Sequence, residues 1–91
     1  MSITIQIPTA LRPDCGGASE LHSTAPTVRA ALDQLEQSHP ALYRSVCDET
    51  GAVRRHVNIF VNDTCLDRRD GLDVQLKPKD VLTIMPAVSG G

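Results

Sequence analysis

The fold is decided first by a five-residue stretch, ITIQI at residues 3–7. Its β-branched isoleucines alternate with polar residues, and this period of two predicts a strand with one buried face. A second apolar stretch, VLTIM at residues 81–85, lies near the other end of the 91-residue chain and is followed by Pro86. We predict that these two strands are central and parallel, because a helix between them would form part of the crossover that a parallel pair requires.

That helix is predicted directly after Thr27, whose hydroxyl can cap a free amide of the first turn. Pro40 ends it, since proline disfavours helix in the preceding residue. Leu42 and Val46, four residues apart, indicate one further short helical turn. The apolar face of the main helix follows the spacing i, i+3, i+4, i+7 and consists of Val28, Ala31, Leu32 and Leu35.

The remaining segments complete the sheet. Alternation over residues 57–61 predicts a further strand, and weaker patterns predict short strands at residues 19–23 and 65–66. Residues 8–17 carry two prolines and two glycines, which predicts a loop. Leu72, Val74 and Leu76 are expected to fill part of the core.

This element order indicates an α+β fold of the β-grasp (ubiquitin-like) type. We expect a mixed sheet of four to five strands with one main helix packed across it. Residues 1–86 would form the domain, and residues 87–91 a flexible C-terminal tail.

Composition limits the class of protein. A chain of 91 residues and 9.8 kDa is one domain, and 41% hydrophobic residues are enough for a core. The formal net charge of −2 and only two aromatic residues, Tyr43 and Phe60, argue against a nucleic-acid partner. No apolar run is long enough to cross a membrane, and the N-terminus lacks the pattern of a signal peptide, so we expect a cytoplasmic protein.

The cysteines and histidines do not form a recognisable site. Cys15, Cys47 and Cys65 are odd in number and include no Cys-x-x-Cys pair, so neither disulfides nor a metal site is expected. We interpret them as free thiols. The three histidines, which we expect at the surface or at loop edges, are His22, His39 and His56.

The chain ends in AVSGG, residues 87–91. Glycine makes up about 7% of average proteins, so two in succession at a terminus are uncommon by chance. Gly90 and Gly91 carry no side chain, and a carboxylate on such a segment can enter a narrow enzyme site where a Cβ would clash. The alternative is a frayed end without function.

The sequence resembles the ubiquitin-like sulfur carrier proteins, which include the small subunit of molybdopterin synthase and the thiamine sulfur carrier. The resemblance is closest to the carriers that serve a sulfur-carrier-dependent cysteine synthase. Two departures are Lys79, where the family usually has glycine, and Cys15. The matching pieces are IPTALRP at residues 7–13 with Gly16 and Gly17, RRHVNIFVN at residues 54–62, Gly71 with Leu72, and IMPAVSGG at residues 84–91.

The resemblance implies a carrier cycle rather than an enzyme. An adenylating enzyme of the ubiquitin-activating type would use ATP and magnesium to activate the Gly91 carboxylate. A sulfur donor protein would convert the acyl-adenylate to a thiocarboxylate, and a client synthase would accept the segment Val88-Ser89-Gly90-Gly91 and use the sulfur. The carrier itself would hold no metal or cofactor.

Docking would need an exposed surface patch. If Ile59 faces the helix, then Phe60 faces outward, and Met85 on the last strand faces outward beside Pro86. We therefore predict a partner-binding patch of Phe60, Met85 and Pro86. The alternative for Phe60 is that the loop at residues 8–17 covers it.

Two other functions are compatible with the same sequence. One is a ubiquitin-like modifier joined through Gly91 to a lysine of a target, with Lys77 and Lys79 as the only lysines for self-linkage. The other is a non-covalent β-grasp binding module whose C-terminal residues have no role.

Overall fold

The computed structural model describes residues 2–67 and 70–86. Within these ranges the helices are α1, Val28–Ser38, and α2, Pro40–Val46, together with two 3-10 helices, Thr9–Cys15 and Asp70–Asp73. The strands are β1, Ile3–Gln6; β2, Glu20–Ser23; β3, Val57–Val61; β4, Thr64–Cys65; and β5, Val81–Pro86.

All five strands form one mixed sheet in the order β2-β1-β5-β3-β4. β1 and β5 are parallel, with Thr4 opposite Val81, and the other neighbouring pairs are antiparallel. The prediction that the first and last strands lie side by side and parallel is therefore confirmed, and β5 is the middle strand. The first and last strands of the domain are therefore joined by hydrogen bonds in the interior of the sheet.

One face of the sheet packs against α1. Ile5, Ile59 and Ile84 are almost completely buried on this inner face, opposite the buried helix residues Val28 and Leu32. α1 begins as the sequence predicts, because the Thr27 hydroxyl accepts a hydrogen bond of 3.1 Å from the amide of Ala30. The burial of these apolar side chains is the main contribution to stability.

α2 is longer than the single turn predicted and occupies two turns. Pro40 stands at its first position, where a missing amide hydrogen costs nothing, and the same residue ends α1. Leu42 and Val46 are fully buried, as their spacing predicts.

Two predictions about local structure are wrong. Residues 8–17 are mostly the 3-10 helix Thr9–Cys15 rather than an irregular loop, because the Leu11 amide donates to the Pro8 carbonyl at 2.9 Å and begins a run of short-range bonds. Val74 does not fill the core, since 37% of its surface is exposed. Its carbonyl accepts a bond of 3.1 Å from the Val28 amide, so its backbone rather than its side chain supports α1.

Candidate functional site

The candidate site lies on the outer face of the sheet, at the end of β5. Since Ile59 and Ile84 point inward, their neighbours along the strands point outward. Phe60 is half-buried and Met85 is 47% exposed. The outward orientation predicted for both side chains is what the burial pattern shows.

Strand register brings these two side chains together. Phe60 lies opposite Thr83 of β5, and Met85 lies opposite Asn58 of β3. Phe60 and Met85 are therefore diagonal neighbours, a separation of about 7–8 Å that long side chains can bridge. Pro86, the last residue of β5, lies opposite Val57. The three residues of the predicted patch meet at one corner of the sheet, but they do not share a face. Phe60 and Met85 point outward, whereas Pro86, opposite the buried Val57, alternates to the inner side.

Phe60 also has a neighbour on its other side. On β4 the residue opposite it is Cys65, whose side chain is exposed. Residues 8–17 follow β1, and β5 separates β1 from the strand that carries Phe60. Phe60 therefore stands one strand away from the segment that the alternative prediction placed over it.

A cleft of about 540 Å³ adjoins this corner. Its lining includes Gln6, Glu20, Met85 and Pro86. Arg12 also lines the cleft, and its Nε donates to the carbonyl of Ile7 at 3.1 Å. A guanidinium is thus held beside the point where the chain leaves β5.

A tight turn holds Arg12 in place and accounts for Cys15. The carbonyl of Arg12 accepts a bond of 2.7 Å from the amide of Gly17, which has a left-handed φ of 85°. The buried Cys15 thiol contacts the carbonyls of Arg12 and Ala18, each at 3.5 Å. Cys15 therefore fills the space beneath the turn as a small apolar residue with a weak donor.

The predicted sulfur-carrying residue, Gly91, and the residues that lead to it, Val88, Ser89 and Gly90, lie outside the described residues. The described part of β5 ends at Pro86, beside the cleft, and we call this point the exit. The exit and the predicted patch coincide.

The marked pKa shifts belong to groups away from the cleft. Burial raises the pKa of the Cys47 thiol, behind α2, to about 11, and burial also raises the pKa of Tyr43. Hydrogen bonds from Thr50 lower the pKa of Asp48, and a hydrogen bond from the Lys77 amide lowers the pKa of Asp80, at the opposite end of β5. These shifts follow from local packing and turns.

Residues 2–67 and 70–86 contain neither a candidate metal site nor a candidate membrane span. No three histidine, cysteine or acidic side chains in that part of the chain are grouped so that they could hold a metal ion. No helix there is long and apolar enough to cross a membrane.

Sequence reasoning missed three members of this site. Thr83 and Cys65 flank Phe60 across the sheet, and only the strand register reveals this. Arg12 belongs to the segment IPTALRP that matches the carrier family. Its place in the cleft depends on the 3-10 helix Thr9–Cys15, where the sequence predicts a loop.

Comparison with known proteins gives consistent matches over the whole chain. Residues 5–91 match the model of the ThiS family. The sulfur carrier protein CysO of Mycobacterium tuberculosis is 36% identical over an alignment that covers 100% of both chains.

Two solved structures extend the comparison. The structure of the BexX/CysO complex from Amycolatopsis orientalis contains a chain that matches with a TM-score of 0.84 and 35% identity, over 98% of this chain and 99% of that chain. The small archaeal modifier protein SAMP1 of Haloferax volcanii matches with a TM-score of 0.80 and 28% identity, over 100% of both chains.

Proposed function

This chain belongs to the ThiS family, and we propose that it is a sulfur carrier protein whose Gly91 carboxylate is adenylated and then converted to a thiocarboxylate. Its 36% identity to a sulfur carrier protein over the full length supports this assignment. The structural observation that carries it is the coincidence of the exit at Pro86 with the exposed Met85 and the Arg12 cleft. A partner that grips this corner would receive the last residues directly.

The chemistry requires a second protein for each step. A carboxylate is a poor electrophile, so its oxygen first attacks the α-phosphorus of ATP, and pyrophosphate leaves. The magnesium and ATP belong to an adenylating enzyme of the ubiquitin-activating type. Hydrosulfide supplied by a sulfur donor protein then attacks the acyl carbon, a C–S bond forms, and AMP leaves. The thiocarboxylate on Gly91 passes its sulfur to a client synthase. The carrier contributes position and recognition but no acid, base, metal or cofactor.

The proposed site residues divide into two groups. Gly91 carries the sulfur, and Val88, Ser89 and Gly90 pass through the partner's narrow channel. Phe60, Met85 and Pro86 form the docking patch. Sulfur transfer of this kind would take place in the cytoplasm, where ATP is available.

The direct test is sulfur loading followed by intact-mass measurement. Incubation with ATP, magnesium, sulfide and the activating enzyme should replace one oxygen of the protein by sulfur, and the change should map to Gly91. Deletion of Gly91 should abolish loading, because the new terminus ends about 3.5 Å short of the reacting atom. Gly90→Val should slow loading severely, since a branched side chain would clash in a narrow channel.

The controls exclude damage to the fold and a persulfide mechanism. Thermal unfolding of both tail variants should match that of the parent protein, because the core strands end at Pro86. A variant in which Cys15, Cys47 and Cys65 are all serine should still accept sulfur if it folds. Equal loading of the protein without Gly91 would disprove the proposal, and loss of loading with one cysteine would point to a persulfide instead.

A second candidate function has one observation in its favour. The match to a small archaeal modifier protein, at a TM-score of 0.80 over the whole of both chains, supports protein conjugation through Gly91. Conjugation and sulfur transfer share the adenylate and differ in the nucleophile, which is a target lysine in the first and sulfur in the second. Incubation with activating enzyme and cell extract, with and without sulfide, separates them, because only conjugation yields products of higher mass that resist thiols.

A further inference from the structure

The basic side chains are segregated by type along the sheet. Of the nine lysines and arginines, only Lys77 and Lys79 are lysines, and both lie in the turn that enters β5. The Lys79 amide donates to the carbonyl of Ser2 at 3.1 Å, and Lys77 lines a small cavity with Ser2 and Thr24. The lysines therefore belong to the end of the sheet where β1 and β5 begin.

Two arginines, Arg12 and Arg55, lie near the opposite end of β5, at the exit. Arg12 lines the exit cleft together with Pro86. Arg55 is exposed and comes two residues before Val57, which lies opposite Pro86. Arg55 lies in the turn closed by the Val57 amide, which donates to the Arg54 carbonyl at 3.0 Å. Its Cα is thus within about 12 Å of the exit, given a strand spacing of about 4.8 Å and at most about 3.6 Å per residue along the chain. Among the described residues, positive charge near the exit is carried by arginine.

This difference matters for an activated carboxyl group. A lysine amine has a nucleophilic lone pair when it loses its proton, whereas the arginine guanidinium stays protonated at any physiological pH. An amine that reaches the acyl-adenylate forms a C–N bond, expels AMP and releases a proton to solvent. The product is an internal amide, one water lighter than the free carboxylate form, and it cannot carry sulfur.

Chain length sets which amines can reach the acyl group. The five residues after Pro86 span at most about 17 Å. β5 has six residues, so Val81 is also about 17 Å from Pro86, and both lysines precede Val81. The Gly91 acyl group can therefore reach the start of β5 only if residues 87–91 are fully extended and run back along the strand. Side chains around the cleft need no such extension, and they can meet the acyl group once it has left the partner's channel as the adenylate.

We infer that the absence of lysine near the described exit is a specificity determinant of the proposed reaction, because it preserves the activated Gly91 acyl group for an external sulfur nucleophile. The inference rests on the proposed function. It assigns a role to Arg12 and Arg55 as cations that cannot be acylated.

The test introduces an amine without changing the charge. Arg55→Lys and Arg12→Lys place a lysine at the exit, and Thr24→Lys is the matched control, because Thr24 is exposed and lies beside Lys77. Each protein is incubated with activating enzyme, ATP and magnesium without a sulfur donor. At least tenfold more of the species lighter by one water should form in the two exit variants than in Thr24→Lys or the parent, since short linkers give millimolar effective concentrations. Peptide mapping should place the amide at residue 55 or 12.

A second arm removes dependence on the enzyme. Each variant is prepared with a C-terminal thioester by intein cleavage, and its cyclisation is compared with its hydrolysis. If the exit variants cyclise no faster than Thr24→Lys in this arm, the inference is overturned, whatever the enzyme does. If the parent protein is not adenylated, the proposed function fails and the protective role fails with it, even if the exit thioesters cyclise. If the parent protein is adenylated and the exit thioesters do not cyclise, the inference alone fails.

Discussion

The two faces of β3 and β5 differ sharply although they are built from the same strands. On the inner face Ile59 and Ile84 are 2% and 1% exposed, whereas Met85, the residue after Ile84, is 47% exposed. Phe60 next to Ile59 is half-buried. Stability and recognition are therefore separated by a single step along the chain, and adjacent substitutions should have different consequences.

The largest effect is expected on the inner face. Ile84→Ala should lower the free energy of unfolding by about 2–5 kcal/mol, because it removes buried methyl groups and leaves a cavity. Urea denaturation followed by circular dichroism measures the change. A loss below about 1 kcal/mol would mean that the inner face is loosely packed and that the two faces do not differ in their contribution to stability.

The second effect concerns the buried thiol of Cys47, the residue that follows α2. Burial raises the pKa of Cys47 from 9.0 to about 11, so the folded protein holds this proton where the unfolded chain has lost it. The contribution is complete below pH 9 and is lost as the pH rises towards 11, by about 2 kcal/mol. Cys47→Ala should show a flatter decline in unfolding free energy over this range.

The exposed Cys65 supplies the control for that experiment. Cys65→Ser should keep the decline of the parent protein between pH 9 and 11. Equal slopes in the parent and in Cys47→Ala would assign the alkaline loss to other groups, such as Tyr43.

The third effect belongs to the outer face. Met85→Asp should slow adenylation of Gly91 at least tenfold, which corresponds to about 1.4 kcal/mol, because a charge would replace an apolar contact of the docking patch. Unfolding free energy should change by less than about 0.5 kcal/mol. Pyrophosphate exchange with the activating enzyme measures the rate.

Val74→Asp is the matched control, since Val74 is also an exposed apolar residue, at 37%, and lies away from the outer sheet face. Adenylation of this variant should remain normal. If Met85→Asp and Val74→Asp are adenylated equally well, the patch at the end of β5 is not the docking surface.

The smallest effect lies on neither face, at the turn that leads into β5. Lys79 has a φ of 73°, in the left-handed region where a side chain is strained. Lys79→Gly should therefore raise the free energy of unfolding by about 0.5–1 kcal/mol, the relief of strain exceeding the added entropy of the unfolded chain. Lys77 does not have a positive φ, so Lys77→Gly should not raise the free energy of unfolding. Thermal unfolding of both variants measures the difference.

Much of the fold could be predicted because its signals are local and periodic. The alternation in β1, β3 and β5 and the spacing from Val28 to Leu35 fix which side chains are buried, and Thr27 fixes where α1 begins. The 3-10 helix Thr9–Cys15 could not be predicted, because Pro8 before it, Pro13 within it and the two glycines after it favour an irregular loop as much as a helical turn.

The site was predictable only in part, for a different reason. The alternation places Phe60 and Met85 on the outer face, but their diagonal placement depends on the register between β3 and β5, which no local pattern encodes. The place of Arg12 in the cleft depends on contacts between segments far apart in sequence. For Val74 the pattern predicts too much. Its apolar side chain predicts a core position, but the side chain is exposed, and it is the Val74 carbonyl that contributes, by accepting a hydrogen bond from the first residue of α1.

The parallel pairing of β1 with β5 has a consequence for how the protein is made. Thr4 and Val81 meet across 77 positions of sequence, so closing this ladder is a costly, late event in folding. In a chain interrupted before Val81 the sheet would be divided into two separate strand pairs, β1–β2 and β3–β4, and an isolated two-stranded pair is marginal in water. Truncated products should therefore be degraded and should not accumulate in a folded form. The molecules that compete for a partner would be those that possess β5, the strand that precedes the proposed sulfur-carrying residue.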